Sequence, residues 1–330
     1  MTTLSYSRSD STQLAIVVPC YNESEVFSLT LEKLLSTLDL LITDDGCARD
    51  SFIVFIDDGS KDSTWDQIEI ATQQFPRRVR GVRLARNVGH QGALLAGLEY
   101  VTGRCDAAIS IDADLQDDLN AMHGMIREYK NGAEMVLGVR DARDVDTWFK
   151  RNTALAFYRV MRIMGVDLVE NHADFRLMSS KALKNLARFP EFNLFLRGMT
   201  PLLHKRIATV TYSRGARAAG ESKYPLRKML ALAWNGITSF SVMPLRMISM
   251  LGAIVFLGSL AMSVYALVGA VVGANLPGWT SITVPLYLLG GMIMLSVGIV
   301  GEYLGKLFLE VKGRPRFLVD FIAGEDSDDN

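Results

Sequence analysis

From Met247 to Gly301 the chain carries no Asp, Glu, Lys, Arg or His. A soluble surface keeps its charged residues exposed and spreads them along the chain. A bilayer-spanning helix needs about 20 apolar residues, so this block has room for two spans. A purely soluble protein is therefore disfavoured. The rest of the chain has ordinary folding potential: 330 residues, 49% apolar and 22% charged, exclude a disordered polymer. Mean hydropathy is +0.18, and its excess is local to that block. Lys plus Arg number 35 against 36 Asp plus Glu, a net charge of −1, which argues against a nucleic-acid binder. Cys20, Cys47 and Cys105 are scattered without CxxC spacing, so neither a zinc site nor a disulfide framework is expected. The N-terminal MTTLSYSRSD lacks the apolar core of a signal peptide, and the soluble part is expected on the cytoplasmic side.

Before the apolar block, two periodicities alternate. Leu14 to Val18, Phe52 to Ile56, Val79 to Leu84, Ala107 to Ile111 and Met135 to Val139 read as buried strands. Helical spacing lies between them, near 23–40, 63–74, 91–101 and 119–130. Such alternation predicts an α/β fold with a mainly parallel sheet covered by helices. Ligands of such sheets bind at the carboxyl ends of the strands. The exits to inspect are Pro19-Cys20-Tyr21-Asn22-Glu23, Asp57-Asp58-Gly59-Ser60, Ala85-Arg86-Asn87, Asp112-Ala113-Asp114 and Arg140, and each carries polar residues suited to one site. Residues 147–204 read as mostly helical, broken at Ala173 to Leu177, and a strand is expected at Ile207 to Thr211.

The organisation expected is a catalytic domain over 1–211, a basic loop and amphipathic interfacial helix over 212–243, two membrane helices with a short connector over 244–304, and a juxtamembrane segment with an acidic tail over 305–330. Lys223, Arg227, Lys228 and Arg246 precede the first span, and Lys306, Lys312, Arg314 and Arg316 follow the second. The connector has no charge, so the positive-inside rule puts both termini in the cytoplasm. Gly252, Gly258, Gly290 and Gly291 would permit close helix contacts, compatible with a homo-oligomer.

Asp112 and Asp114 are two apart after a strand, and residues two apart on extended chain point the same way. Both can then address one cation, with Gln116 continuing the spacing, and hard oxygen ligands suit Mg²⁺ or Mn²⁺ beside a diphosphate. The competing reading is a helix cap within a solvated acidic loop that Asp117 and Asp118 continue. At Asp57-Asp58 one carboxylate can accept from the imide N–H of uracil, or can cap the next helix. Tyr21 can offer a ring face to a base and Glu23 can accept from a ribose hydroxyl. Arg86-Asn87-Val88-Gly89-His90 does not give GxGxxG, which disfavours NAD chemistry; His90 reads as a cap or hydrogen-bonding group. Asp174, beside Arg176, is either salt-bridged structure or a catalytic acid. Among the basic residues 214–228, Arg217 and Lys223 are assigned to a ligand phosphate, and Arg227 and Lys228 to anionic lipid.

With these residues in view, the sequence resembles the family 2 glycosyltransferases of the GT-A fold, a Rossmann-like α/β domain, and among them the polyprenyl-phosphate glycosyltransferases. Bactoprenol glucosyltransferases and dolichol-phosphate mannose synthases are the nearest types. The matching pieces are VVPCYNE (17–23), FIDDGSKDST (55–64), RNVGHQGALLAG (86–97), ISIDADLQDD (109–118), ADFRLMS (173–179), GESKYPLRK (220–228), PLRMISMLG (244–252) and GEYLGKLFLEVKGRPRF (301–317). The resemblance implies nucleotide contacts at Pro19, Tyr21, Glu23 and Asp58, and a metal and diphosphate site at Asp112, Asp114 and Gln116. It implies phosphate-binding groups at Arg140, Arg151, Arg217 and Lys223, and a base or acceptor-orienting acid at Asp174. Many relatives have proline after DADLQ where this chain reads Asp117-Asp118-Leu119, a departure expected to change only the cap.

The expected reaction is inverting transfer of a sugar, glucose by resemblance, from a UDP-sugar to a polyprenyl (undecaprenyl) phosphate at the cytoplasmic face of the inner membrane. Asp114 is expected to serve through the metal and Asp174 by orienting the acceptor or sugar. An amino-sugar transferase and a polyprenyl-phosphate mannose synthase share this plan, and only donor assays separate them. A processive polysaccharide synthase would need more spans and a QxxRW motif, which is missing. A non-catalytic scaffold or flippase partner is the reading from another class, and the intact carboxylates speak against it.

Overall fold

A computed structural model describes residues 11–140, 172–189, 196, 199, 203–213, 243–272 and 278–325. The chain divides into two compact units, one built around a β-sheet and one holding two long helices, with the residues from Pro315 onward returning to the first.

The sheet unit opens with β1 (Leu14–Cys20), β2 (Phe52–Asp57), β3 (Val79–Leu84), β4 (Ala107–Ser110) and β5 (Met135–Arg140). Between them lie α1 (Phe27–Asp44), α2 (Thr64–Gln74), α3 (His90–Val101) and α4 (Ala121–Lys130). Then come β6 (His172–Ser179), α5 (Ser180–Leu186) and β7 (Ile207–Tyr212). The eight strands run in the order β7-β5-β6-β4-β1-β2-β3-β8, where β8 is Val319–Ala323. β1 pairs in parallel with β2 and β4, β2 with β3, and β5 with β7; β6 runs antiparallel between β4 and β5.

β1 is buried along its whole length, as a central strand covered on both faces requires. Its alternate residues Leu14, Ile16 and Val18 join the apolar core with Leu34 and Leu38 of α1, Ile68 of α2 and Met122 and Met125 of α4. From the other face α3 lies so close that a Cβ on its Gly97 would meet Val17 and Ile56. Alternate residues of β1 thus face two different helical layers.

β8 falls within the stretch expected as a juxtamembrane segment and tail. It runs antiparallel to β3, with Gly81 opposite Ala323 and Leu84 opposite Val319, and Phe321 packs edge-on against Trp65. Glu325, expected in a frayed tail, bonds Arg104 at 3.1 Å. The chain therefore leaves the sheet after one edge strand, β7, and rejoins it at the other edge.

The second unit contains α6 (Met243–Val272) and α7 (Trp279–Val311), of 30 and 33 residues. At about 1.5 Å per residue each exceeds the ~30 Å thickness of a hydrocarbon layer. Among the described residues one segment, Leu289–Val311, is long and apolar enough to cross a membrane by length and composition. The interfacial helix expected before Met243 lies outside the described residues, as do 273–277 of the connector expected over 273–281, within which α7 already begins at Trp279.

Candidate active site

The strand order reverses at β1: the chain steps outward through β2 and β3, then returns to add β4 on the opposite side. The crevice at such a switch point opens at the carboxyl ends of the two strands flanking it. Pro19 lies here, buried near the end of β1. The Cys20 carbonyl accepts from Asp58 N on the β2 side, while the Val17 carbonyl accepts from Ile111 N on the β4 side. Since sides alternate along a strand, Pro19 presents its missing N–H towards β4, where the ladder ends.

The β1 and β2 exits are fastened to each other. Asn22, in the left-handed region at φ 54, donates its backbone N–H to Ser60 Oγ at 3.0 Å, and its side-chain oxygen accepts from Lys61 N at 2.8 Å. Glu23 N donates to Thr64 Oγ1 and Ser24 N to Asp62 Oδ2. Burial works upward on the Asp62 carboxyl, but the bonds from Thr64 and Ser24 prevail and hold it at about 2. Between these fastenings Tyr21 stands 42% exposed, available to stack on a flat ligand.

The β2 and β3 exits are fastened as well. Asp58 is buried, and its two oxygens accept from Val88 N at 2.7 Å and Gly89 N at 2.9 Å. Burial pushes its carboxyl up while these bonds pull it down, with a net rise. The carboxylate read as an acceptor for uracil is first of all the clamp of the Arg86–His90 loop. Gly59, at φ 66, lets the loops approach: a Cβ there would sit 2.8 Å from Asn87 N and 2.9 Å from the Arg86 carbonyl carbon.

That clamp delivers His90. It is the first residue of α3, and its Nε2 stands 3.3 Å from Asp112 Oδ1 and 3.6 Å from Asp174 Oδ2. The antiparallel register explains the meeting: Ser110 of β4 faces Arg176 of β6, so Asp112, two residues on, comes level with Asp174, two residues back. Asp174 is 7% exposed, and its Oδ1 accepts from the buried Arg176 at 2.6 Å. The salt bridge of the structural reading is present, and the same carboxylate also faces His90 beside Asp112. Burial, then the carboxylates of Asp174, Asp117 and Asp114, push the Asp112 carboxyl up, against His90, which lowers it.

The DAD run is not extended as expected. The chain turns at Ala113–Asp114, Ala113 enters the core, and Leu115 takes φ 53, a left-handed conformation that a leucine adopts only under constraint. Asp114 Oδ1 accepts from Gln116 N at 3.2 Å, and the Gln116 side chain is buried. Among the described residues no three His, Cys, Asp or Glu side chains are grouped as a metal site. Asp112 and Asp114 with Gln116 would offer two carboxylates and an amide, with water completing the shell. A carboxylate cluster whose members push Asp112 up is one that a hard divalent cation relieves, so the donor chemistry fits Mg²⁺ or Mn²⁺.

Asp117 corrects the reading of a solvated acidic loop, being only 4% exposed. It accepts from Tyr212 Oη at 2.6 Å, and Arg140 Nη2 lies 3.4 Å from the same oxygen. Asp118 accepts from Asn120 N in the turn that leads into α4. Tyr212 was not singled out in the sequence; its signal was a position at the end of a strand parallel to β5. Arg151, Arg217 and Lys223 lie outside the described residues.

Residues 15–187 match the sequence profile of glycosyl transferase family 2. An uncharacterized glycosyltransferase of Bacillus subtilis, YkoT, is 48% identical over 93% of this chain and 91% of its own length. A bactoprenol glucosyl transferase of Shigella phage SfX is 37% identical over 93% of this chain and 98% of its own. Among solved structures, mannosyl-3-phosphoglycerate synthase from Rubrobacter xylanophilus superposes with a TM-score of 0.48 at 14% identity, covering 73% of this chain and 75% of that one.

Proposed function

Since this chain belongs to glycosyl transferase family 2, we propose that it moves a glucosyl group from UDP-glucose to a polyprenyl phosphate, with inversion at the anomeric carbon. One observation carries the reading. A carboxylate-lined crevice at a sheet's carboxyl end is continuous in one polypeptide with two long apolar helices, and relatives named bactoprenol glucosyl transferases match 93% of the chain at 35–37% identity. A water-soluble donor and a bilayer-bound acceptor call for that combination. Both helices are read as spans, with the termini cytoplasmic on the evidence of Arg246 before the first and Lys312, Arg314 and Arg316 after the second.

In this mechanism Tyr21 stacks on the base beside Pro19, Glu23 takes a ribose hydroxyl, and Asp58 uses its remaining lone pairs while clamping its loop. Asp112 and Asp114, with Gln116, would hold a divalent cation, which when bound would supply positive charge to the diphosphate. Arg140, with Arg151, Arg217 and Lys223, supplies further positive charge to phosphate oxygens. The acceptor is a phosphate monoester with a second pKa of about 6, largely ionised at pH 7. It attacks without a strong base, and Asp174, fixed by Arg176, orients acceptor or sugar. Position and charge stabilisation are the larger contributions.

The test is a donor screen on the full-length chain in lipid nanodiscs with undecaprenyl phosphate and Mg²⁺ or Mn²⁺, reading radiolabel in the organic phase. UDP-glucose should label the lipid; a UDP-amino-sugar or GDP-mannose doing so instead replaces the donor. No labelling from any donor would sink the transferase reading. Asp114→Asn should lose at least about a hundredfold in turnover and stay in the membrane fraction; wild-type rates would refute the metal assignment.

A further inference from the structure

Arg140 ends β5 and Tyr212 ends β7, and the parallel ladder sets them directly opposite each other. Arg140 Nε donates to Tyr212 Oη at 3.1 Å, and Tyr212 Oη donates onward to the buried Asp117 at 2.6 Å. Burial, then Asp117, push the Tyr212 phenol well up, so it stays neutral and keeps its proton to donate. The direct Arg140–Asp117 approach is long, at 3.4 Å. A carboxylate that met the guanidinium fork edge to edge would form a tight bidentate pair. The interposed hydroxyl grips the side chain by Nε instead. Among the described residues, two of the five guanidinium N–H groups are committed, and the Arg140 side chain remains 31% exposed.

We infer that Tyr212 is a positioning residue: backed by Asp117, its hydroxyl holds Arg140 by Nε so that the outer edge of the guanidinium meets a phosphate of donor or acceptor. The inference rests on Arg140 acting on phosphate as proposed above. The ring itself is held by other contacts, edge-on to Phe175 with centroids 5.3 Å apart. Tyr212→Phe therefore removes the hydroxyl and keeps the packing.

The full-length chain in nanodiscs is assayed as Tyr212→Phe, Arg140→Lys and the double variant, varying UDP-glucose and prenyl phosphate separately. Tyr212→Phe should lower kcat/KM by about tenfold, through a raised KM for one of the two substrates, and should melt somewhat lower because the buried Asp117 loses its donor. The affected KM identifies the phosphate held. The double variant should be no worse than Arg140→Lys, because Tyr212 acts only through Arg140. Unchanged kinetics, a loss confined to kcat, or additive losses would overturn the inference. If the wild type labels no lipid, the functional reading fails instead, and affinity of the same variants for UDP and for undecaprenyl phosphate is the readout. Equal weakening by Tyr212→Phe and Arg140→Lys then sustains the positioning role, and wild-type affinity in Tyr212→Phe removes it.

Discussion

Replacing Gly59 by alanine perturbs the site at its narrowest joint. At φ 66 the added Cβ takes a left-handed backbone that costs an L-residue roughly 1–2 kcal/mol. It also lands 2.8 Å from Asn87 N and 2.9 Å from the Arg86 carbonyl carbon, backbone atoms that no rotamer change can move aside. Relieving such overlap costs about 1–3 kcal/mol. Lower entropy of the unfolded chain returns about 0.4–1 kcal/mol. The net loss is then about 1–5 kcal/mol. Gly103 supplies the control: its φ is 85, and a Cβ there meets nothing within 4 Å. Gly103→Ala carries the backbone cost without the overlap. The difference between the two variants is the overlap alone, roughly 2–12 °C in melting temperature for a unit of this size. The overlap has a local consequence besides. Pushing Arg86 and Asn87 outward draws the Val88 and Gly89 N–H groups off Asp58 and shifts His90 from Asp112 and Asp174. Gly59→Ala should thus melt lower than Gly103→Ala in a thermal scan of the full-length chain and transfer sugar more slowly. Equal melting temperatures with equal transfer would refute the claim that this close approach builds the site.

Two further outcomes follow from the same geometry. The Asp112 carboxyl is raised above its ordinary value of about 3.9, by burial first and neighbouring carboxylates next. Its contribution to stability is full below that ordinary value and is lost as pH rises through the raised one, so at pH 7 the charge is a liability without a cation. With chelator present, Asp112→Asn should melt higher than wild type at pH 7, with the gain vanishing towards pH 4, while transfer collapses; a variant less stable than wild type at pH 7 would contradict this. Ending the chain after Arg316 removes β8, its ladder to β3, the Phe321–Trp65 contact and the Glu325–Arg104 bond. It also takes the Leu318 carbonyl from Ala85 N, at the root of the Arg86–His90 loop. Limited proteolysis should cut the truncated chain faster between Val79 and His90, and an unchanged cleavage pattern would make β8 dispensable.

The amino-acid sequence by itself determined the layered architecture and pointed to the strand exits that carry the candidate site. β1 to β5 were legible to within two residues because β1, β2, β4 and β5 are short, mainly apolar runs and β3 sets apolar residues among two arginines, so burial is dictated by their own side chains. Each of β1 to β4 was followed by a helix with its own period. The functional family was legible in the loops after those strands, because chemistry at strand ends needs particular residue types in consecutive positions. Only the tertiary structure decided what those residues bind to. β8 is five residues long and carries an acid, and nothing local marks it as a strand; its register comes from β3, more than 200 positions earlier. Asp117 reads as one more acid in a hydrophilic loop, and becomes buried because Tyr212, 95 residues on, brings it a proton donor. His90 reads as a helix-cap residue until antiparallel β6 sets Asp174 beside Asp112 and supplies both acids it faces. Periodicity reports how a residue meets water, and that is encoded in its neighbours along the chain. Partnership in a buried polar network depends on which distant strands lie side by side, and the folded sheet alone determines that.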